Sequence, residues 1–178
     1  MTRLIICRHA DEGNAAQARD LAATLADLPL QAVYRSPLAR AVLTAQAVAA
    51  EHQLVPIEMA DLREIERGSV DGMAFDEYPA ELQAELLSRP LTVRFPGGEN
   101  YGELRDRVCP VLQEIAAAHS TGVVTVVTHL GPIRTALAGW LGIGDESVFR
   151  IDQRPAAVNV VDLVDGVPLI RLVNGTRL

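Results

Sequence analysis

Short, unbroken apolar runs that stop abruptly at polar residues, each followed by a stretch with helical spacing, constrain this chain more than any other feature. Residues 4–7, Leu-Ile-Ile-Cys, give way at once to Arg8-His9. A run so short and so uniformly apolar suits a central strand buried on both faces. Residues 31–34 and 55–59 read as further short strands, and residues 123–127, Val-Val-Thr-Val-Val, as the most β-branched one. Residues 15–26 place Ala18, Leu21, Ala22 and Leu25 on one helical face. Ser36 as N-cap and Pro37 at the first helical position are expected to start a second helix, with a stripe of Leu38, Ala41, Val42, Ala45, Val48 and Ala49. Residues 99–119 read as a third, with Glu103 and Arg107 paired one turn apart and Pro110 bending it. A fourth opens at Pro132, ends near Gly142 and turns Ile133, Leu137 and Leu141 inward. Residues 158–164 and 169–173, joined by Asp165-Gly166, read as a terminal hairpin. This alternation predicts a single three-layer α/β/α domain with a mostly parallel sheet.

The alternation fails between residues 61 and 95, where Gly68, Gly72, Pro79 and Pro90 interrupt any regular element. That stretch is expected to form a small helical or loop cap beside the sheet, with Phe75, Tyr78 and Leu82 as candidates for lining its mouth. No repeat or linker divides the rest, so residues 1–178 read as one domain. A formal net charge of −7 argues against nucleic acid or an anionic membrane as partner, and an anionic substrate must then find its countercharge in a few convergent arginines. Cys7 and Cys109 read as small buried apolar residues rather than a disulfide or metal motif. The N-terminal apolar run is too short for a signal peptide and no stretch has transmembrane length, so a cytoplasmic setting is expected. The oligomeric state is not legible.

In open α/β sheets, ligands bind beyond the carboxyl ends of the strands, where helix N-termini add free N–H groups and partial positive charge. Arg8-His9 follow the first expected strand, Ser36 and Arg40 the second, and Thr128-His129 the strand over residues 123–127. Each alone has a plain structural reading: a histidine at a strand end is usually satisfied locally, an arginine in a first helical turn is usually solvated, and Glu64 is an ordinary surface carboxylate. Their shared placement changes the balance. A neutral imidazole can attack phosphorus, guanidinium forks neutralise the non-bridging oxygens, and a carboxylic acid can protonate the leaving oxygen and then activate water. Such chemistry requires no metal and no other cofactor.

Five segments in order resemble the histidine phosphatase (phosphoglycerate mutase-like) superfamily, over most of the chain. LIICRHA is similar to the family's strand and Arg-His-Gly segment, which implies His9 as nucleophile and Arg8 as phosphate ligand. SPLARAVLTA resembles its Ser-x-Leu-x-Arg-Ala-x-x-Thr-Ala segment, which places Arg40 on the phosphate. LREIERGSVDG implies Glu64 as proton donor, and PGGEN resembles the turn before a long helix. VVTHLGPIRTAL implies His129 as a further phosphate ligand, with Leu130 beside it in the substrate site. Ala10 and Leu130 stand where the family usually has glycine, and the loop after His9 is shorter than in most relatives, which implies a more open substrate site.

The resemblance implies a metal-independent phosphomonoesterase working through a phosphohistidine on His9, with a small-molecule phosphate ester as substrate. Two alternatives stand beside it: a phosphoglycerate mutase-type phosphotransferase, against which the short chain argues, and a non-catalytic phosphate-binding regulatory domain, motivated by Ala10, Leu130 and the short loop. A metal site built on His9, His129 and Glu64 or Asp11 lacks any ligand spacing and would sit among arginines. Trp140, His52 and His119 carry structural readings; Arg134 suits the pocket mouth or a solvated helix position, Asn100 and Tyr101 suit a substrate contact or the turn, and Asp11 and Glu12 suit the start of the following helix as well as the pocket.

Overall fold

Residues 4–7 lie near the centre of a six-stranded sheet, as their apolarity demands. The computed structural model describes residues 1–119 and 121–178. Strand β1 (Thr2–Arg8) pairs in parallel with β4 (Gly122–Thr128), β4 with β2 (Leu30–Arg35), and β2 with the two-residue β3 (Ile57–Glu58). On its other side β1 pairs antiparallel with β5 (Val158–Val164), and β5 with β6 (Val167–Gly175), giving the order β3-β2-β4-β1-β5-β6. Asp165 and Gly166 turn the β5–β6 hairpin with positive φ of 51° and 82°, the geometry that a two-residue connection between twisted strands requires.

The pleat of β1 divides the core in two. Ile5 and Cys7 join Leu21, Leu25, Ala45 and Val48 of α1 (Ala15–Leu25) and α2 (Ala39–Glu51) on one face. Leu4 and Ile6 join Leu104, Leu112, Ile133 and Leu137 on the other, carried by two further long helices, α4 (Tyr101–Ala118) and α5 (Leu130–Leu141). Each such fully buried Leu or Ile is worth roughly 1.5–3 kcal/mol over leaving it in water, which makes the two layers the main source of stability. Between β3 and α4 run three one-turn 3-10 helices (Ala60–Leu62, Gly68–Val70 and Phe75–Glu77) and α3 (Ala80–Ser88). The Pro96-Gly97-Gly98 turn closes this stretch against Glu66: the Glu99 N–H donates to the Glu66 carbonyl at 2.8 Å, and a Cβ on Gly98 would fall 2.1 Å from that same carbonyl oxygen. No helix among the described residues is long and apolar enough to cross a membrane.

Four local expectations are corrected. Helix α2 begins at Ala39 with Leu38 as N-cap, two residues later than expected, although the Ser36 hydroxyl does accept the Leu38 N–H at 3.2 Å as well as meeting His129. Glu103 does not pair with Arg107: its carboxylate folds back onto the Asn100 N–H as a capping box and meets Arg94, while Arg107 pairs with Glu99. Leu141 is 53% exposed rather than inward, since it occupies the last turn of α5 before Gly142 ends the helix in the left-handed conformation. Only Ile57–Glu58 of the expected third strand pairs with β2, and both residues are exposed at the sheet edge.

Candidate active site

Strands β1, β2 and β4 end side by side, and each delivers polar side chains to one place. The His9 ring is fixed at both nitrogens. Its Nδ1 lies 2.6 Å from the Ala10 carbonyl oxygen, which can only accept, so Nδ1 carries the proton. Arg40 Nε donates to Nε2 at 3.1 Å, which identifies Nε2 as the nitrogen with the lone pair. Burial above all, with Arg40 and Arg8 adding their charge, lowers the His9 pKa to about 4 against the weaker pull of the Ala10 contact and Asp11. The ring is therefore neutral near pH 7. Thr44 holds this arrangement from below: its hydroxyl accepts the Ala10 N–H at 3.0 Å and donates to the Arg40 carbonyl at 2.9 Å.

Arg8 Nη1 donates to the Gln153 carbonyl at 2.6 Å, and its buried Nε has no partner among the described residues. Gln153 is locked in turn by a reciprocal amide pair with Asn159, at 2.8 and 2.7 Å, both side chains being buried. His129 is fully buried and lies behind His9, ring centroids 4.9 Å apart. Its Nε2 is 2.7 Å from Ser36 Oγ, and burial, followed by the charges around His9, lowers its pKa to about 2.

Glu64 reaches the N-terminus of α5. Its Oε1 accepts the Ile65 N–H at 2.9 Å and the Gly131 N–H at 3.0 Å. Its half-buried position in the pocket wall raises its pKa despite those two hydrogen bonds and the nearby Arg67 and Arg40. The loop that carries it is tied down by Arg107, which donates to the carbonyls of Asp61, Arg63 and Glu64 at 2.6, 2.9 and 3.0 Å and forks onto Glu99 at 2.8 Å with both Nε and Nη2. Thr128 adds a hydroxyl bond to the Leu62 carbonyl at 2.6 Å.

In front of His9 opens a cavity of about 640 Å³, lined by Arg8, Arg40, Glu64 and Leu130, by Arg67 and Arg134, and by aromatic rings. The expected site residues Arg8, His9, Arg40, Glu64 and Leu130 thus share one cavity, while His129 adjoins it from behind. Asp11 and Glu12 also line it, as does Arg134. Among the described residues, no three His, Cys, Asp or Glu side chains converge in a way that could hold a metal ion. Sequence reasoning passed over Thr44, Gln153, Asn159, Arg107 and Gly131. Thr44 stands inside a motif-bearing segment, whereas Gln153 and Asn159 have no local signal, since they act by pairing with each other. His119 and Trp140 are structural: His119 meets the Tyr34 hydroxyl at 3.0 Å, and Trp140 packs partly buried against the core.

A mostly parallel sheet that gathers two histidines and two arginines at its strand ends defines a class, and this chain belongs to it: the histidine phosphatase superfamily (branch 1), whose family model matches residues 11–176. Among relatives, phosphoserine phosphatase 1 of Hydrogenobacter thermophilus is 29% identical over 92% of this chain and 87% of its own length. The metal-independent phosphoserine phosphatase of Arabidopsis thaliana is 37% identical over 75% of this chain, which spans 57% of that protein. Others are longer still: the chain spans 41% of the bifunctional protein Rv2228c of Mycobacterium tuberculosis, 32% identical. A histidine-to-alanine mutant of a phosphoserine phosphatase from Entamoeba histolytica, in complex with phosphoserine, shares the fold with a TM-score of 0.86 at 21% identity, covering 99% of this chain and 98% of that one.

Proposed function

We propose that this protein is a metal-independent phosphomonoesterase that hydrolyses phosphate esters of small-molecule alcohols through a phosphohistidine on His9. The observation that carries the proposal is the His9 ring, neutral, with Nδ1–H committed to the Ala10 carbonyl and the Nε2 lone pair presented beside Arg40. Nε2 attacks phosphorus while Arg8 and Arg40 take the non-bridging oxygens. The ester bond breaks, and the departing alkoxide takes the proton of Glu64. Water then attacks the phosphohistidine, giving its proton to the Glu64 carboxylate, and inorganic phosphate leaves with His9 and Glu64 restored. His129 fits a phosphate ligand in ring contact with His9, a phosphoryl oxygen replacing Ser36 at Nε2. General acid–base help of this kind supplies about 10²–10⁴-fold in rate. The Cys7 and Cys109 thiols, free of any disulfide, suit the cytoplasmic setting.

The test is a radiolabelled phosphate ester quenched in alkaline denaturant. Wild type should carry an alkali-stable, acid-labile label and turn over the ester; His9→Ala should do neither. Retained turnover in that variant overturns the mechanism.

A further inference from the structure

Aromatic residues are scarce in this chain, seven in all, and five of them line the one cavity in front of His9: Phe75, Tyr78, Phe95, Tyr101 and Phe149. Tyr78, Phe95 and Tyr101 are buried and also serve the core. Phe75 and Phe149 pack against that core, on Tyr78 at 5.5 Å and on Tyr101 at 5.2 Å, yet are only half-buried and leave part of each ring at the cavity. They come from segments distant in sequence, the 3-10 turns Phe75–Glu77 and Asp145–Arg150, and meet at the cavity with ring centroids 5.8 Å apart and planes tilted by 42°. Beside them the Arg134 guanidinium lies 5.9 Å from the Phe149 centroid. Its Nε is held by the Ile151 carbonyl at 3.1 Å, and none of the carboxylates whose side chains are described pairs with it. Arg67, by contrast, is committed to Asp71 and the Tyr78 hydroxyl.

From this we infer that the alcohol released by the enzyme carries a flat aromatic body, seated against Phe75 and Phe149, with a hydrogen-bond acceptor on its far edge directed at Arg134. The inference rests on the phosphatase reading above and narrows its leaving group. A cavity of about 640 Å³ lies within the roughly 300–1,000 Å³ that encloses drug-sized ligands, and is far larger than the phosphate ester of a three-carbon acid fills. Aromatic faces add little to the binding of a small, fully polar alcohol, whereas ring on ring and guanidinium on ring are favourable contacts. Asp11, Glu12 and Asp71 around the same cavity disfavour a leaving group with several negative charges, which leaves a ring with a single acceptor as the best match.

The experiment compares kcat/KM for 2-phenylethyl phosphate, its para-carboxylated analogue and ethyl phosphate, with O-phosphoserine alongside. All four are primary alkyl esters, so differences report what the alcohol binds rather than how readily it leaves. The phenylethyl ester should exceed ethyl phosphate and O-phosphoserine by roughly 10–100-fold, the gain expected from removing one ring from water onto aromatic faces. The para-carboxylate should raise this further, and Arg134→Met should erase that second gain. Phe149→Leu, which keeps apolar volume at the site, should lower the phenylethyl-to-ethyl ratio several-fold; a ratio within one variant is insensitive to how much of it is folded. Equal rates for the phenylethyl and ethyl esters, or a preference for O-phosphoserine, overturn the inference and leave the phosphatase standing. Absence of turnover on all four, with a wild type indistinguishable from His9→Ala, overturns the phosphatase reading itself.

Discussion

Gly131→Ala adds a single methyl group, and its effect can be worked out from distances. The new Cβ would lie 2.3 Å from Glu64 Oε1, 3.3 Å from Leu104 Cδ2 and 3.4 Å from Ile65 Cγ2. The last two contacts need little or no adjustment. The first cannot persist, so the carboxyl must retreat by about 1 Å, loosening the hydrogen bond it accepts from the Gly131 N–H at 3.0 Å. A misplacement of about 1 Å at a reacting group costs on the order of 10²-fold. For an alkyl ester, whose alkoxide cannot leave unprotonated, kcat/KM should therefore fall about 100-fold. For p-nitrophenyl phosphate, whose phenolate leaves without help, the loss in kcat/KM, which excludes the later hydrolysis step, should be only a few-fold. Overpacking of this kind costs about 1–3 kcal/mol in stability, a measurable fall in Tm that leaves the chain folded. Steady-state kinetics on the two esters side by side reads the effect as a ratio. Equal losses on both, or an unchanged rate on the alkyl ester, would refute the assignment of Glu64 as the proton donor.

Three further outcomes follow from the geometry. Arg107→Met removes the cation that holds the Asp61, Arg63 and Glu64 carbonyls and leaves the Glu99 carboxylate with only the Glu66 N–H and the more distant Arg63, so it should cost about 3 kcal/mol in a urea melt and, like Gly131→Ala, hurt alkyl esters more than aryl ones. His9 and His129 have folded pKa values near 4 and 2, below the unfolded value of about 6.5, so unfolding takes up protons below that value. Their stabilisation is complete above about pH 6.5 and is lost as pH falls toward 4, at up to ~2.7 kcal/mol per pH unit for two protons. His9→Gln should roughly halve that slope in melts taken across pH 4–6.5, and an unchanged slope would show that other groups dominate it. Asp162 is buried between Arg3 at 2.7 Å and Arg171 at 3.0 Å, hydrogen bonding to Arg3 foremost lowers its pKa, and the stability it confers is present above the unfolded value near 3.9 and lost as pH falls further. Asp162→Asn should cost about 1.5–3 kcal/mol at pH 7 and less at pH 3, a convergence that thermal melts at the two pH values would detect.

The layers were legible because burial leaves runs and stripes: the unbroken apolar runs of β1 and β4 mark strands covered on both faces, and the three-and-four spacing of Ala18, Leu21, Ala22 and Leu25 marks the face of a covering helix. Arg8, His9, Arg40 and His129 were legible for a related reason, since each follows closely on a strand that the pattern had already located, whereas Glu64, in the loop beyond β3, was implied only by the family resemblance. What escaped were pairings between distant positions. Nothing near Arg107 in the chain indicates that its partner is Glu99 and that it also spans to Asp61, because Glu103 one turn away is claimed by the helix N-terminus. Gly131 escaped because the need for glycine arises from Glu64, 67 positions earlier in the chain.

The same difficulty extends to charge. An arginine in a sequence does not reveal whether it will meet a substrate or hold a loop, yet in the folded chain the two kinds separate by what anchors them. Arg67 and Arg107, which fasten the segments around Glu64, are paired with the carboxylates of Asp71 and Glu99. Arg8, Arg40 and Arg134, which share the cavity wall with Arg67, are anchored by neutral acceptors instead: the Gln153 carbonyl, the His9 ring nitrogen and the Ile151 carbonyl. A guanidinium held by a carboxylate has its charge largely answered and must surrender that partner to take a phosphate. One held by a carbonyl or a neutral imidazole is fixed in direction while its charge stays available. In a chain with a net charge of −7, that choice of anchors is how a phosphate dianion finds an uncompensated positive pocket. On the proposed mechanism it also gives a physical reason for a His9 ring that is neutral at rest: a protonated ring would lose the lone pair that holds Arg40 in place and that the mechanism needs to attack phosphorus.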